Sequence, residues 1–325
     1  MRRRDFITLV AGGTIAWPLI ARAQQAAMPV IGFLHSGSPE PNARRLAGFR
    51  KGLSDAGLVE GKNVAIEFRW AQGKDERLPE LAADLIRQRV AVIATLSSTT
   101  AAVAAKAATS AIPIYFLVAD PPVELGLVSS LNRPGGNATG ITTLAAELAA
   151  KRLGLLRELA PQVKTMAVLL KPSHPSAKAV TQSLQATART LEVPLDVLEA
   201  STDREIEDAY STLKPGAALL VATDPFFFVR RAQLVALSAR HTVPAIYDSR
   251  EFAEAGGLMS YGPNHVNLWA QAGTYVARIL KGEKPSDLPV TQAALFEMVI
   301  NLKAAKPLGL AVPPSMLALA DEVIE

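Results

Sequence analysis

The chain has 325 residues, 49% of them hydrophobic and 20% charged, the composition of a globular protein rather than a disordered tail or a fibre. With 34 Lys plus Arg against 30 Asp plus Glu the formal charge is +4, a mild basicity that invites a nucleic-acid or membrane-surface partner. Cysteine is absent, which excludes disulfides, thiolate catalysis, Cys-ligated zinc and iron–sulfur clusters.

The basicity is unevenly placed. Arg2, Arg3 and Arg4 open the chain, residues 6–20 are mostly apolar and uncharged, and Ala21-Arg22-Ala23 follows. This is the pattern of an export leader over residues 1–23, cleaved near Ala23. Its apolar run of about 15 residues is too short to cross a hydrocarbon layer of roughly 30 Å. Arg3-Arg4-Asp5-Phe6-Ile7 matches the twin-arginine pattern R-R-x-F-[IL]; an ordinary secretory signal with a run of arginines is the alternative. Without cysteine there is no lipid-attachment site, so the expected product is exported, periplasmic and soluble. No later run reaches 18 consecutive apolar residues. Four arginines and Asp5 fall within residues 1–23, which leaves 30 basic against 29 acidic side chains and a net of about +1. The expectation is therefore no nucleic-acid partner.

Downstream, strands and helices alternate. Residues 29–35 (PVIGFLH) form a short apolar run suited to a buried parallel strand. In 42–56, Leu46, Phe49 and Leu53 recur at helical spacing, with Gly57 beyond the end. A strand is predicted over 63–70, a helix over 75–89, a strand over 91–96, an alanine-rich helix over 99–109 and a strand over 113–119. A short helix over 123–131 and a strand over 137–143 complete a first series. The rhythm restarts with helices predicted at 144–159, 176–191, 203–214 and 229–241, and strands at 166–170, 195–200, 217–222, 244–248 and 257–261. Alternation of this kind implies right-handed crossovers and parallel sheets with helices on both faces. Core size favours two sheets over one, each lobe near 150 residues, with the ligand site in the cleft between them.

Catalytic constellations do not assemble. The four histidines, His35, His174, His241 and His265, show no metal-ligand spacing, and neither G-x-G-x-x-G nor G-x-x-x-x-G-K-[ST] occurs. Ser36 follows a strand, but Leu34 stands where a nucleophile elbow needs glycine. Arg44-Arg45 and Arg230-Arg231 are short pairs that read as solvated helix faces.

In open α/β sheets ligands bind beyond the carboxyl ends of the strands. Those positions hold Ser36-Gly37-Ser38, Ser97-Ser98-Thr99-Thr100, Asp120-Pro121-Pro122, Lys171-Pro172-Ser173-His174, Asp224-Pro225-Phe226, Tyr247-Asp248-Ser249 and Tyr261-Gly262-Pro263. Hydroxyls at a helix N-terminus suit a carboxylate, or alternatively serve only as a cap. With carboxylates and aromatic faces they complement an amino-acid zwitterion, while each Asp is equally suited to capping the helix that follows it.

The stretches IGFLHSGSP (31–39), FRKGLSDAGLVEGKNVAIEFRWAQG (49–73), LNRPGGNATGIT (131–142), ATDPFFFVRRAQLVALSARHTVPAIYDSREFAEAGGLMSYGP (222–263) and INLKAAKPLGLAVPPSMLALADEVIE (300–325) resemble the ABC transporter substrate-binding protein family. Within it they are similar to the branch that includes tryptophan-binding components. The resemblance implies an α/β type I periplasmic binding protein fold, with two Rossmann-like lobes and three crossover segments. Lobe one would comprise residues 28–141 plus 262–289, and lobe two residues 142–261 plus 290–325. It further implies that Ser36, Ser38, Ser98, Thr99, Asp120, Thr142, Ser173, Asp224, Phe226, Tyr247 and Tyr261 line the cleft. Hydroxyls would hold the ligand's carboxylate, an Asp its ammonium and aromatic faces its body. No cofactor and no enzymatic activity are implied. The expected partners are a small-molecule ligand and a membrane permease with its ATPase, the binding protein itself acting as a monomer. A sensor module for a membrane receptor would use the same closed face. A hydrolase built on His35 or His174 and a repressor are the disfavoured readings, the leader occupying the place of a helix-turn-helix.

Overall fold

The computed structural model describes residues 28–325; the leader read at residues 1–23 lies outside the described residues. The chain runs β1 (Val30–His35), α1 (Ala43–Asp55), β2 (Ala65–Trp70), α2 (Leu78–Arg87), β3 (Val92–Leu96), α3 (Thr99–Ala108), β4 (Ile114–Val118) and β5 (Ala138–Thr142). It continues through α4 (Ala145–Leu159), β6 (Thr165–Leu170), α5 (Ala177–Thr190), β7 (Leu195–Glu199), α6 (Asp203–Ser211), β8 (Ala217–Val221), α7 (Pro225–Val229), α8 (Arg231–Arg240), β9 (Ala245–Tyr247) and α9 (Arg250–Glu254). The last elements are β10 (Met259–Pro263), α10 (His265–Leu280), β11 (Thr291–Gln292), β12 (Phe296–Asn301), α11 (Leu302–Ala305), α12 (Pro314–Leu319) and β13 (Glu322–Ile324).

Two sheets form. The first has the order β11-β5-β4-β3-β1-β2 and is parallel throughout. The second has the order β13-β12-β10-β9-β8-β6-β7 and is parallel except where β12 runs antiparallel to β10. The central strands are buried on both faces and read as apolar runs, whereas edge strands such as β2 and β7 are only partly buried and carry charges. Successive side chains still go to opposite layers. Phe33 joins the core under α1 and α10, and Leu34 joins the core under α2 and α3. In the second lobe Ile246 and Tyr247 divide between two cores in the same way.

Several sequence expectations are corrected. The helix expected at 123–131 is a series of turns, started by Pro121-Pro122 and interrupted by Gly126 at φ +68°. The helix expected at 229–241 runs from Arg231 to Arg240, and a separate short helix, α7, precedes it, because the backbone at Arg230 leaves helical geometry at φ −96°, ψ 15°. The strand expected at 257–261 begins two residues later, at Met259. Thr291 and Gln292 pair with Ile141 and Thr142 in the first sheet, so the third passage falls after Gln292 rather than between residues 289 and 290, where the expected lobe boundary lay. Val290 accordingly lies in a first-lobe core.

The return of α10 to the first lobe rests on close helix packing. A Cβ at Gly52 of α1 would lie 1.8 Å from the Ala270 carbonyl oxygen, and one at Gly273 of α10 would lie 2.3 Å from that of Phe49. Only glycine admits this approach, which seats Trp269, Ala272 and Val276 in the first-lobe core. Gly154 in α4, by contrast, has open space where a Cβ would stand. Urea denaturation should show Gly52→Ala less stable by about 1–3 kcal/mol or more, as overpacking costs. Gly154→Ala should be more stable by about 0.5–1 kcal/mol; equal midpoints would contradict the seam.

Candidate functional site between the lobes

The carboxyl ends of the two sheets face one another, as the placement of ligands in parallel α/β sheets requires. Salt bridges hold the lobes together. Lys171 Nζ lies 2.6 Å from Asp75 Oδ2, Arg45 Nε 2.8 Å from Glu251 Oε1, and Arg44 2.9 Å from Glu254. The Arg45 guanidinium also stacks 3.6 Å from the centre of the Phe228 ring.

Between the strand ends is a cavity lined from lobe one by Ser97, Thr99 and Ala119, and from lobe two by His174, Thr223 and Pro225, with Thr143 and His265 at the crossovers. It holds about 320 Å³ of empty volume, of which about 30 Å³ is open to the centre of a water molecule. By that second measure a larger cavity, about 560 Å³, lies elsewhere. It opens at the amino ends of β9 and β10, beside Val243 and Leu258, and no lobe-one residue lines it. The smaller space has the position and the polar lining expected of a binding site.

The eleven residues read from the sequence divide into three groups. Thr99 lines the central cavity, and Asp224 lines an adjoining one with Lys171 and His174. Four others sit directly behind the wall. Ser98 Oγ donates to Ser36 Oγ at 2.9 Å and accepts from the Ser36 N–H at 3.2 Å. Thr142 Oγ1 donates to the Asp120 carbonyl at 2.9 Å. Both carboxylate oxygens of Asp120 are buried without a hydrogen-bond partner among the described residues.

The remaining five are displaced. Ser173 is exposed, and half-buried Ser38 uses its carbonyl to accept from Asn42. Tyr247 is a correction: it is fully buried in lobe two, stacked 4.5 Å from Phe252, with its hydroxyl 2.9 Å from Ser238 Oγ. Phe226 packs in the same core under the Arg230 guanidinium, 3.8 Å away. Tyr261 stacks with Phe296 at 6.1 Å against the other lobe-two core. Tyr247 and Tyr261 are strand residues, whose side chains enter the layers beside the sheet.

Capping explains part of the pattern. Asp224 Oδ1 accepts from the Phe226 N–H at 2.6 Å as the N-cap of α7, and burial raises its pKa. Ser98 occupies the N-cap position of α3 without a capping bond, since its hydroxyl turns to Ser36. Behind the cavity, Trp269 Nε1–H donates to Ser97 Oγ at 2.9 Å, and Ser97 Oγ lies 3.2 Å from His265 Nδ1. Burial, with Arg45 adding to it, lowers the pKa of His265 to about 3, so the ring is neutral. His35 is likewise held at about 3 by burial and by Arg45, and its Nδ1 accepts from the Gly37 N–H at 2.8 Å. Its ring packs against Phe33, Trp70 and Trp269.

The family model described as ABC transporter substrate binding protein matches residues 39–324. A tyrosine-binding protein of Clostridioides difficile (strain R20291) is 30% identical over 264 residues, 81% of this chain and 76% of that protein. Two solved structures each cover 91% of this chain and 99% of their own. One is the ABC domain from Streptococcus pneumonia in complex with L-Trp, at 26% identity and TM-score 0.82. The other is a ligand-free, open substrate binding protein with adhesive properties from Clostridium difficile, at 27% identity and TM-score 0.65. At equal coverage and near-equal identity the chain superposes better on the complex, in keeping with the salt bridges that join its lobes. The two-lobed architecture is that of type I periplasmic binding proteins. Closure has a pH signature at Glu251. Burial alone would raise its pKa, but Arg45 brings it from the ordinary 4.5 down to about 2. The depressed value means that the pair favours closure above pH 4.5, and that this contribution is lost as the pH falls from there through about 2. Small-angle scattering should find Glu251→Gln more open than the wild type at pH 7, with the gap narrowing as the pH falls through that window. Equal radii at pH 7 would contradict the latch. By the extent of the family match and the identity to its relative, the chain belongs to the ABC transporter substrate-binding protein family.

Proposed function

We propose that this protein captures an amino acid, aromatic by preference, between its lobes in the periplasm and delivers it to a membrane permease driven by an ATPase. The observation that carries the reading is the buried carboxylate of Asp120, 3% exposed, with neither oxygen paired, next to cavity-lining Ala119. Burying a carboxylate without hydrogen bonds is costly, and a ligand ammonium would offset that cost. Thr99, Thr143 and Thr223 supply hydroxyls around the same space. The relatives that bind tyrosine and L-Trp support the choice of ligand class.

The mechanism is a clamshell. An open form takes ligand against one lobe, then the lobes close about the crossovers at Thr143-Leu144, Asn264 and residues 293–295. Because ligand touches both lobes only when they are closed, it binds that form better and shifts the population toward it. The closed face is what a permease would read. The protein performs no reaction and uses no cofactor in this scheme, and the leader pattern with the family membership supports export to the periplasm.

Thermal unfolding of the full chain tests the ligand class. L-Tyrosine or L-tryptophan at a hundredfold excess over Kd should stabilise the native state by about 2.7 kcal/mol. Asp120→Asn should weaken that binding by about 10- to 100-fold, the worth of a hydrogen bond to a charged group. No shift from any amino acid, with a shift from a sugar or nucleoside, would overturn the assignment.

A further inference from the structure

Arg152, on α4, is 1% exposed. Its Nε donates to the Leu148 carbonyl at 3.3 Å, and its Nη1 and Nη2 both reach the single Thr223 hydroxyl, also at 3.3 Å. These are long contacts to neutral acceptors, and they leave at least two of the five guanidinium N–H bonds unused. Among the described residues no carboxylate lies within 4.0 Å of it, although the other buried arginine, Arg45, has Glu251 at 2.8 Å. A guanidinium taken out of water costs several kcal/mol unless it is paired. Arg152 is therefore a buried cation with an unfilled acceptor position.

That position faces the cleft. Arg152, Asp248 and Leu148 line a small space with Thr143, Thr223 and His265, and the last three also line the central cavity. The two spaces thus adjoin one another at the hinge end of the cleft, sharing three lining residues. Asp248, across from Arg152, is held up in pKa by burial while the Arg152 charge opposes the rise, so each charge moderates the other without direct contact. The hydroxyls first read as carboxylate ligands, Ser36 and Ser98, are bonded to each other inside lobe one.

We propose that Arg152 receives the α-carboxylate of the amino-acid ligand, so that the zwitterion is spanned by Asp120 from lobe one and Arg152 from lobe two. This rests on the amino-acid reading above and adds to it the residue that selects for the carboxylate. A planar guanidinium with two free N–H bonds matches a carboxylate in a bidentate pair. A ligand carrying only one of the two charges engages only one lobe, and closes the clamshell poorly.

Calorimetric titration of the full chain with L-tyrosine, tyramine and 3-(4-hydroxyphenyl)propionate separates the two ends of the ligand. The wild type should prefer L-tyrosine to tyramine by at least about 30-fold, the worth of a charge-assisted pair. Arg152→Met should erase that preference by weakening L-tyrosine and the propionate while changing tyramine less than about 3-fold. Asp120→Asn should weaken L-tyrosine and tyramine and spare the propionate. Since Arg152→Met strands Asp248, the double variant Arg152→Met/Asp248→Asn removes both charges and should show the same loss of preference. Arg152→Lys, which keeps the charge without the planar fork, should retain part of it. Equal wild-type affinity for L-tyrosine and tyramine, or equal losses for both in the Arg152 variants, would overturn the role of Arg152 alone. Binding of no amino acid by the wild type would overturn the amino-acid assignment and this inference together.

Discussion

In the binding mode proposed here, a buried carboxylate of one lobe and a buried guanidinium of the other, each short of partners, set the terms for the rest of the molecule. Neither Asp120 nor Arg152 meets an opposite charge within its own lobe at salt-bridge distance. A protein interior tolerates such groups when something completes them, and polar groups left incomplete cost far more than the same groups paired. A small zwitterion meets both demands with one molecule. On that proposal ligand identity and lobe closure become the same event, because the groups that need completing come from different lobes.

The scaffold that makes this geometry is built from ordinary parts. Two parallel sheets carry their loops at facing carboxyl ends, and apolar cores on both faces of each sheet keep the strands rigid. Three strand-to-lobe passages leave the relative position of the lobes adjustable. The glycine contacts between α1 and α10 fix the returning segment to lobe one, so bending is confined to the passages rather than spread through a packed helix pair. At the mouth of the cleft, Arg45 is used twice, paired to Glu251 and stacked on Phe228. That latch is distant in chemistry from ligand selection: it acts on how readily the lobes stay together, whereas the proposed roles of Asp120 and Arg152 bear on what they close around.

Much of this was legible in the residues. The alternation of apolar runs and helical stripes carried the α/β class, and the rule that ligands sit past strand ends carried Thr99, Asp120 and Asp224 to the cleft region. The aromatic residues were misplaced because a strand-end tyrosine looks the same whether it turns into the cleft or into the layer. Tyr247 turns inward, to Ser238 and Phe252. The antiparallel β12 and the late third passage were hidden by short strands of two to six residues with no distinctive period. Arg152 left a signal that was overlooked. Ala145, Ala149, Leu153, Leu156 and Leu159 form the buried stripe of α4, and Arg152 falls on it. A charge on the apolar face of a helix is the mark of a buried partner. Thr223 and His265 had no comparable mark, since their roles depend on the lobes meeting.

The most direct test is the structure of the full chain crystallised with L-tyrosine. The account predicts ligand density between the lobes, its ammonium within hydrogen-bonding distance of the Asp120 carboxylate. Density in the outer groove of lobe two beside Val243 and Leu258, or between the lobes with Asp120 still unpaired, would contradict it.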